Sequence, residues 1–234
     1  MTRILSLLAL AALAGCTPVA YVPTSTPAAP RAAGVWASGG LNGLSAQATG
    51  ALAVAPVPGV ALVAQGVYGN SAVLSEGERG AYVQRGLDLG AVAAVPISAR
   101  AAVEVGGSVG RDWLSSQSGS FDVGCCSQTY RPVELRTDRV GGHAGLWLAG
   151  SGTVEAGPVV RVVHVASRSQ SAAHAEAVEG VFVEPGVRAR VQRGAAELTV
   201  HVGVSVPASD AYRERYSHVP FVGAVGVAYQ LGAW

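Results

Sequence analysis

A chain of 234 residues is long enough for one large β domain or two small ones. Only 13% of it is charged, about half the share of an ordinary water-facing domain, and a net charge of +1 gives no argument for a nucleic-acid partner. Beyond the N-terminus no run approaches the ~18–20 apolar residues of a spanning helix, which leaves a closed β-barrel as the way for so oily a chain to meet lipid.

The first fifteen residues carry Arg3 and then the apolar run ILSLLALAALAG, the composition of a secretory signal. Leu13-Ala14-Gly15-Cys16 resembles a lipobox, the bacterial lipoprotein signal. The resemblance implies cleavage before Cys16, acylation of that cysteine and, with Thr17 rather than an acid next, delivery to the outer membrane. Residues 16–32 are rich in Pro, Thr and Ala and read as the lipidated cysteine with an extended tether.

Period-two alternation then predicts strands, because successive side chains of a strand point to opposite faces. Gly34–Leu41 sets Val35, Ala37 and Leu41 against Trp36 and Ser38, and Ser45–Pro56 sets Leu52 and Val54 against Gln47 and Thr49. Beyond the turn at Val57-Pro58-Gly59 come Val60–Gly69, a polar loop at 70–80, and Ala81–Val95 with Gln84 and Asp88 on the polar face. Ile97–Gly110 follows a turn at Pro96 and alternates Val103 and Val105 with Arg100, Glu104 and Ser108. Arg111–Asp138 reads as the longest loop, carrying Cys125 and Cys126. Arg139–Ala149 and Val154–Ser167 form a hairpin whose alternation slips near Val162-Val163-His164, which predicts a bulge. The cleanest pattern runs from Val178 to Ser209: Val181, Val183, Val187, Ala189 and Val191, then Leu198, Val200, Val202 and Val204, all opposite charged, polar or glycine positions. After the connection holding Asp210–His218, Phe221–Gly232 is the last strand.

Tight connections alternate with long ones, as expected of an all-β, antiparallel up-and-down transmembrane barrel of about ten strands, eight if the first is not one. Residues 33–234 resemble the small bacterial outer-membrane β-barrel proteins, with no narrower family matched. The resemblance implies outer-membrane lipid and the barrel-assembly machinery as partners. Trp234 ends the chain with an aromatic residue, as such proteins commonly do, although its parity differs from that of Tyr229 and Leu231.

The polar face collects Asp88, Arg100, Glu104, Glu155, Arg161, Glu184, Arg188, Arg190, Glu197 and His201. A narrow barrel is filled by its side chains, and buried charges need partners, so this set reads as an ion-pair network in the lumen. A lining for a small solute is the functional alternative. Catalysis is not expected: His201 and Ser205 are four residues and ~13 Å apart on one strand face, while His164, Ser167 and His143 lack a convincing partner in sequence. Adjacent Cys125 and Cys126 can form a vicinal or interchain disulfide but make a poor metal site, and no cofactor is implied. The expected function is therefore that of a non-enzymatic outer-membrane barrel with a structural, surface-interaction or minor transport role. The alternatives are a periplasmic lipocalin-like carrier, which would bury the aliphatic face, and an outer-membrane lipid-modifying or proteolytic enzyme.

Overall fold

The computed structural model describes residues 19–24, 28–43, 45–70, 82–120, 129–150, 153–169, 177–209 and 217–233. The chain begins with a short extended piece, β1 (Val19–Tyr21), and then builds a wall from β2 (Gly34–Asn42), β3 (Gln47–Val57), β4 (Val60–Asn70), β5 (Tyr82–Ser98), β6 (Ala101–Ser120), β7 (Thr129–Ala149), β8 (Val154–Ser169), β9 (Ala177–Arg193), β10 (Ala196–Val204) and β13 (Phe221–Gly232). Each strand pairs antiparallel with the next, and β13 bridges β10 and β2, so the sheet closes. The result is a ten-stranded up-and-down barrel with no helix among the described residues. Two fragments, β11 (Val206–Pro207) and β12 (Ser217–His218), lie in the connection from β10 to β13. β11 continues along β9, and β12 pairs with β1 in parallel.

The connections at 58–59, 99–100, 150–153 and 194–195 define a tight-turn end, and the longer ones define the opposite, long-loop end. Gly59 and Gly194 hold φ of 79° and 60°, left-handed values that a two-residue hairpin needs and that glycine adopts without a Cβ clash. Register rows climb around the wall. Val35, at the tight-turn end of β2, shares its row through eight successive pairings with Val206, at the long-loop end.

The alternation holds strand by strand. Val200, Val202 and Val204 are 38%, 57% and 39% exposed on the outside, while Arg188 and Glu197 are 4% and 6% exposed within. Among the described residues no second protein layer covers the aliphatic face, so the lipocalin-like arrangement is inverted here.

Four expectations are corrected. Arg111–Asp138 is not a loop: β6 and β7 run through most of it, to Ser120 and from Thr129. Outward charges such as Arg111 and Asp138 hid the strands, because above the aliphatic zone the outer face is polar while the inner face carries Leu114 and Leu135, the reverse of the alternation below. No bulge interrupts 162–164, since β8 pairs in unbroken register there. Val163 and Val165 instead face an apolar cluster inside the long-loop half of the barrel, with Tyr21, Tyr82, Leu114, Leu135, Val178 and Phe182, so both faces of β8 are oily and the alternation disappears from view. The turn after β5 lies at 99–100 rather than at Pro96, and it carries Arg100, which is exposed outside the lumen. The segment read as a tether is extended but lies inside the barrel: Tyr21, Val22, Thr24, Ala29 and Pro30 are buried.

Candidate functional site

The lumen is the concave, charge-lined part of the molecule, and the described residues of the N-terminal segment, 19–24 and 28–33, contact its wall near both ends and midway. Its path is fixed by backbone groups meeting wall side chains, which satisfies polar atoms that burial would otherwise leave stranded. At the tight-turn end, Gly59 N–H donates to Pro30 O at 2.8 Å, Trp36 Nε1 to Ala32 O at 3.1 Å and Gln230 Nε2 to Ala33 O at 2.8 Å. Midway, Glu104 Oε2 accepts Ala29 N–H at 3.0 Å, and Arg190 Nη1 donates to Ala29 O at 2.8 Å. Higher up, Arg161 Nη1 donates to Thr24 O at 2.7 Å, and Tyr21 donates its hydroxyl to Glu184 Oε1 at 2.7 Å. At the long-loop end, Val219 N–H donates to Tyr21 O at 3.0 Å beside the β1–β12 pairing, and the Tyr21 ring stacks on Phe182 with centroids 4.3 Å apart.

Two charge clusters hold this core. The lower one centres on Glu104, which is fully buried, accepts Trp147 Nε1–H at 2.9 Å, forms an ion pair with Arg188 at 2.7 Å and lies 3.3 Å from His143 Nε2. The guanidinium groups of Arg188 and Arg190 lie 4.6 and 4.4 Å from the Trp147 ring centroid, a favourable cation–π geometry. Glu155 bridges Arg190 at 2.6 Å and Arg31 of the inner segment at 2.5 Å, and Glu197 stands 3.8 Å from Arg190. In the upper cluster Arg139 contacts Asp88 and Asp112, each at 2.9 Å, while Arg161 lies 3.5 Å from Glu184. Gly110 stands opposite Asp88 and Gly86 opposite Asp112 in register, and a Cβ at either would collide with the facing carboxylate. Glycine at these two positions makes the room the acids need.

Of the lumen residues named from sequence, Asp88, Glu104, Glu155, Arg161, Glu184, Arg188, Arg190, Glu197 and His201 face inward, and Arg100 does not. Sequence reasoning named His143 but missed Arg139, Asp112, Trp147, Arg31 and Tyr21. Parity would have found the first three: Arg139 and Trp147 lie within the expected Arg139–Ala149 strand, and Asp112 lies two residues beyond the expected end of the strand before it. The histidine–serine candidates separate. His164 faces outward, 3.5 Å from Glu179, whereas Ser167 is inside, 3.0 Å from Thr137 Oγ1. Ser205 donates to Glu184 at 3.1 Å, and His201 Nδ1 has no hydrogen-bond partner. Cys16, Cys125, Cys126 and Trp234 lie outside the described residues.

Beside the inner segment, cavities of about 110 and 40 Å³ remain. The larger is lined by the small residues of β2, β3 and β13 facing Arg188, Glu197 and His201. Both have the scale of a few waters, not of an open channel.

Neither a protein-family model nor a curated protein matches this sequence. Among solved structures, the β domain of the Bordetella autotransporter Brka is similar at 12% identity and a TM-score of 0.42, over 86% of this chain and 100% of that one. A likeness at that level carries no functional argument, and the architecture above stands on this chain's own strand pairing.

Proposed function

We propose that this chain is an integral outer-membrane β-barrel, non-enzymatic and closed at rest by its own N-terminal segment, with a surface-interaction role at its long-loop end. The observation that carries the reading is the aliphatic outer face. Along β6 it runs from Ala101 to Val109, nine residues spanning ~27 Å of strand, which a tilt of ~40° reduces to roughly 20 Å of height, close to the ~25 Å band of outer-membrane barrels. Tyr68, Trp113 and Phe221 stand exposed near its long-loop border. In water such a belt would be a severe aggregation liability; against lipid it is the expected solvent contact.

Transport of a solute is disfavoured by the ion pairs that fill the lumen, and the surface role is supported by the wall above the belt. β6 and β7 have 20 and 21 residues where β2 and β10 have 9, so one side of the barrel rises well beyond the aliphatic zone. The reading includes acylation of Cys16 and insertion by the barrel-assembly machinery. Heat-modifiable migration on a gel, together with retention in outer membranes after high-salt and carbonate washing, is the expected result. Release of the chain by carbonate would refute the membrane assignment.

A further inference from the structure

The outer face carries one strongly cationic row. Register partners run unbroken from Tyr68 on β4 to Arg85 on β5, Trp113 on β6, Arg136 on β7 and Arg168 on β8. All five side chains point away from the lumen, opposite in parity to Val67, Gln84, Asp112, Leu135 and Ser167. With strands ~4.8 Å apart and tilted ~40°, the row climbs by roughly 12 Å from β4 to β8. Tyr68 therefore stands at the border of the aliphatic belt, and the arginines rise step by step above it.

This row is electrostatically incomplete. Arg136 and Arg168 sit directly opposite one another on adjacent strands, a like-charge pair that destabilises a sheet when nothing lies between. Two neighbouring acids are engaged elsewhere: Asp138 with Arg111 at 2.5 Å, Glu179 with His164 at 3.5 Å. Glu134, one row above, shares a surface recess with Arg85 and Trp113. Arg85, Arg136 and Arg168 have no ion-pair partner among the described residues, and Arg136 Nε has no hydrogen-bond partner. Planar guanidinium groups are built for bidentate contact with phosphate oxygens, and aromatic side chains at the border hold a barrel at the headgroup level.

Resting on the membrane reading above, we infer that the Arg85–Arg136–Arg168 row binds the phosphate groups of a phosphorylated glycolipid headgroup in the outer leaflet, with Tyr68 seated at the acyl border and Trp113 among the headgroups. Full-length protein folded in zwitterionic detergent can be titrated with diphosphorylated lipid A, with the same lipid stripped of both phosphates, and with inorganic phosphate, bound lipid being read by native mass spectrometry. Diphosphorylated lipid A binds at least about tenfold more tightly than the stripped form, R136Q/R168Q loses that preference, and R193Q, at the opposite end of the barrel, keeps it. Arg85→Gln, which removes one charge, gives a smaller loss and replaces the double variant if that fails the heat-modifiability check for folding. An undiminished preference in R136Q/R168Q and R85Q would overturn the inference, as would equal binding of stripped lipid. Inorganic phosphate binding as tightly as the lipid would reassign the row to a free anion and overturn it as well. Failure of the membrane reading would show separately, as release from outer membranes by carbonate, which this titration in detergent does not measure.

Discussion

Glu104 of the barrel wall accepts the backbone N–H of Ala29 at 3.0 Å, joining residues 75 positions apart and fixing the inner segment to the wall at mid-height. The same carboxylate faces Arg188 at 2.7 Å and is shut off from solvent. Glu104→Ala leaves that guanidinium buried without its partner, and losing one member of a buried pair costs about 3–5 kcal/mol. Urea unfolding in detergent, followed by tryptophan fluorescence, measures the loss; Glu104→Gln, which keeps the acceptor oxygen for Ala29, loses less.

Outside the barrel the same kind of contact counts for little. Arg111 and Asp138 meet at 2.5 Å, but both side chains are 43% exposed. Asp138→Asn costs no more than about 1 kcal/mol in the same unfolding measurement. A loss comparable with that of Glu104→Ala would mean that this outer pair is shielded from water.

Residues 19–24 and 28–30 lie in the lumen, so deleting 19–30 should open it. In planar lipid bilayers the intact chain is electrically silent and the deletion variant conducts ions. Equal silence in both would show that the wall side chains close the barrel without the segment.

Val202 lies near the middle of the aliphatic belt and is 57% exposed. Val202→Arg at such a depth costs about 2–4 kcal/mol in a bilayer. Refolding equilibria in phospholipid vesicles check this, and a neutral result would argue that water, not lipid, covers that face.

The inner segment reaches the long-loop end at Val19, where β1 pairs with β12. An epitope inserted before Val19 is accordingly labelled on intact cells. Labelling only after permeabilisation would reverse the direction of threading.

Strand positions were legible wherever lipid-facing and lumen-facing demands differ, as on β9 and β10, where valine alternates with arginine, glutamate or glycine. They became illegible where the two faces meet similar surroundings. At Val162–Val165 both sides carry valine, and the result imitates a bulge; at Arg111–Asp138 the outer face turns polar while Leu114 and Leu135 point inward, so the alternation reverses and the result imitates a loop. Arg100 followed the right parity but belongs to a turn, where parity has no meaning. The path of residues 19–33 could not be read at all. Small residues such as Ala29 and Pro30 show no period, and what holds them is Glu104, Arg190 and Gly59, supplied by distant strands.

Tyr21 finds Glu184 across 163 positions of sequence, and Arg161 reaches back 137 to Thr24. Residues made ahead of the wall strands are thus held by groups that those strands supply only later. Such long-range closure is slow, and a cell making this protein has to keep a dozen early residues idle and unspoiled until nearly everything downstream has found its place.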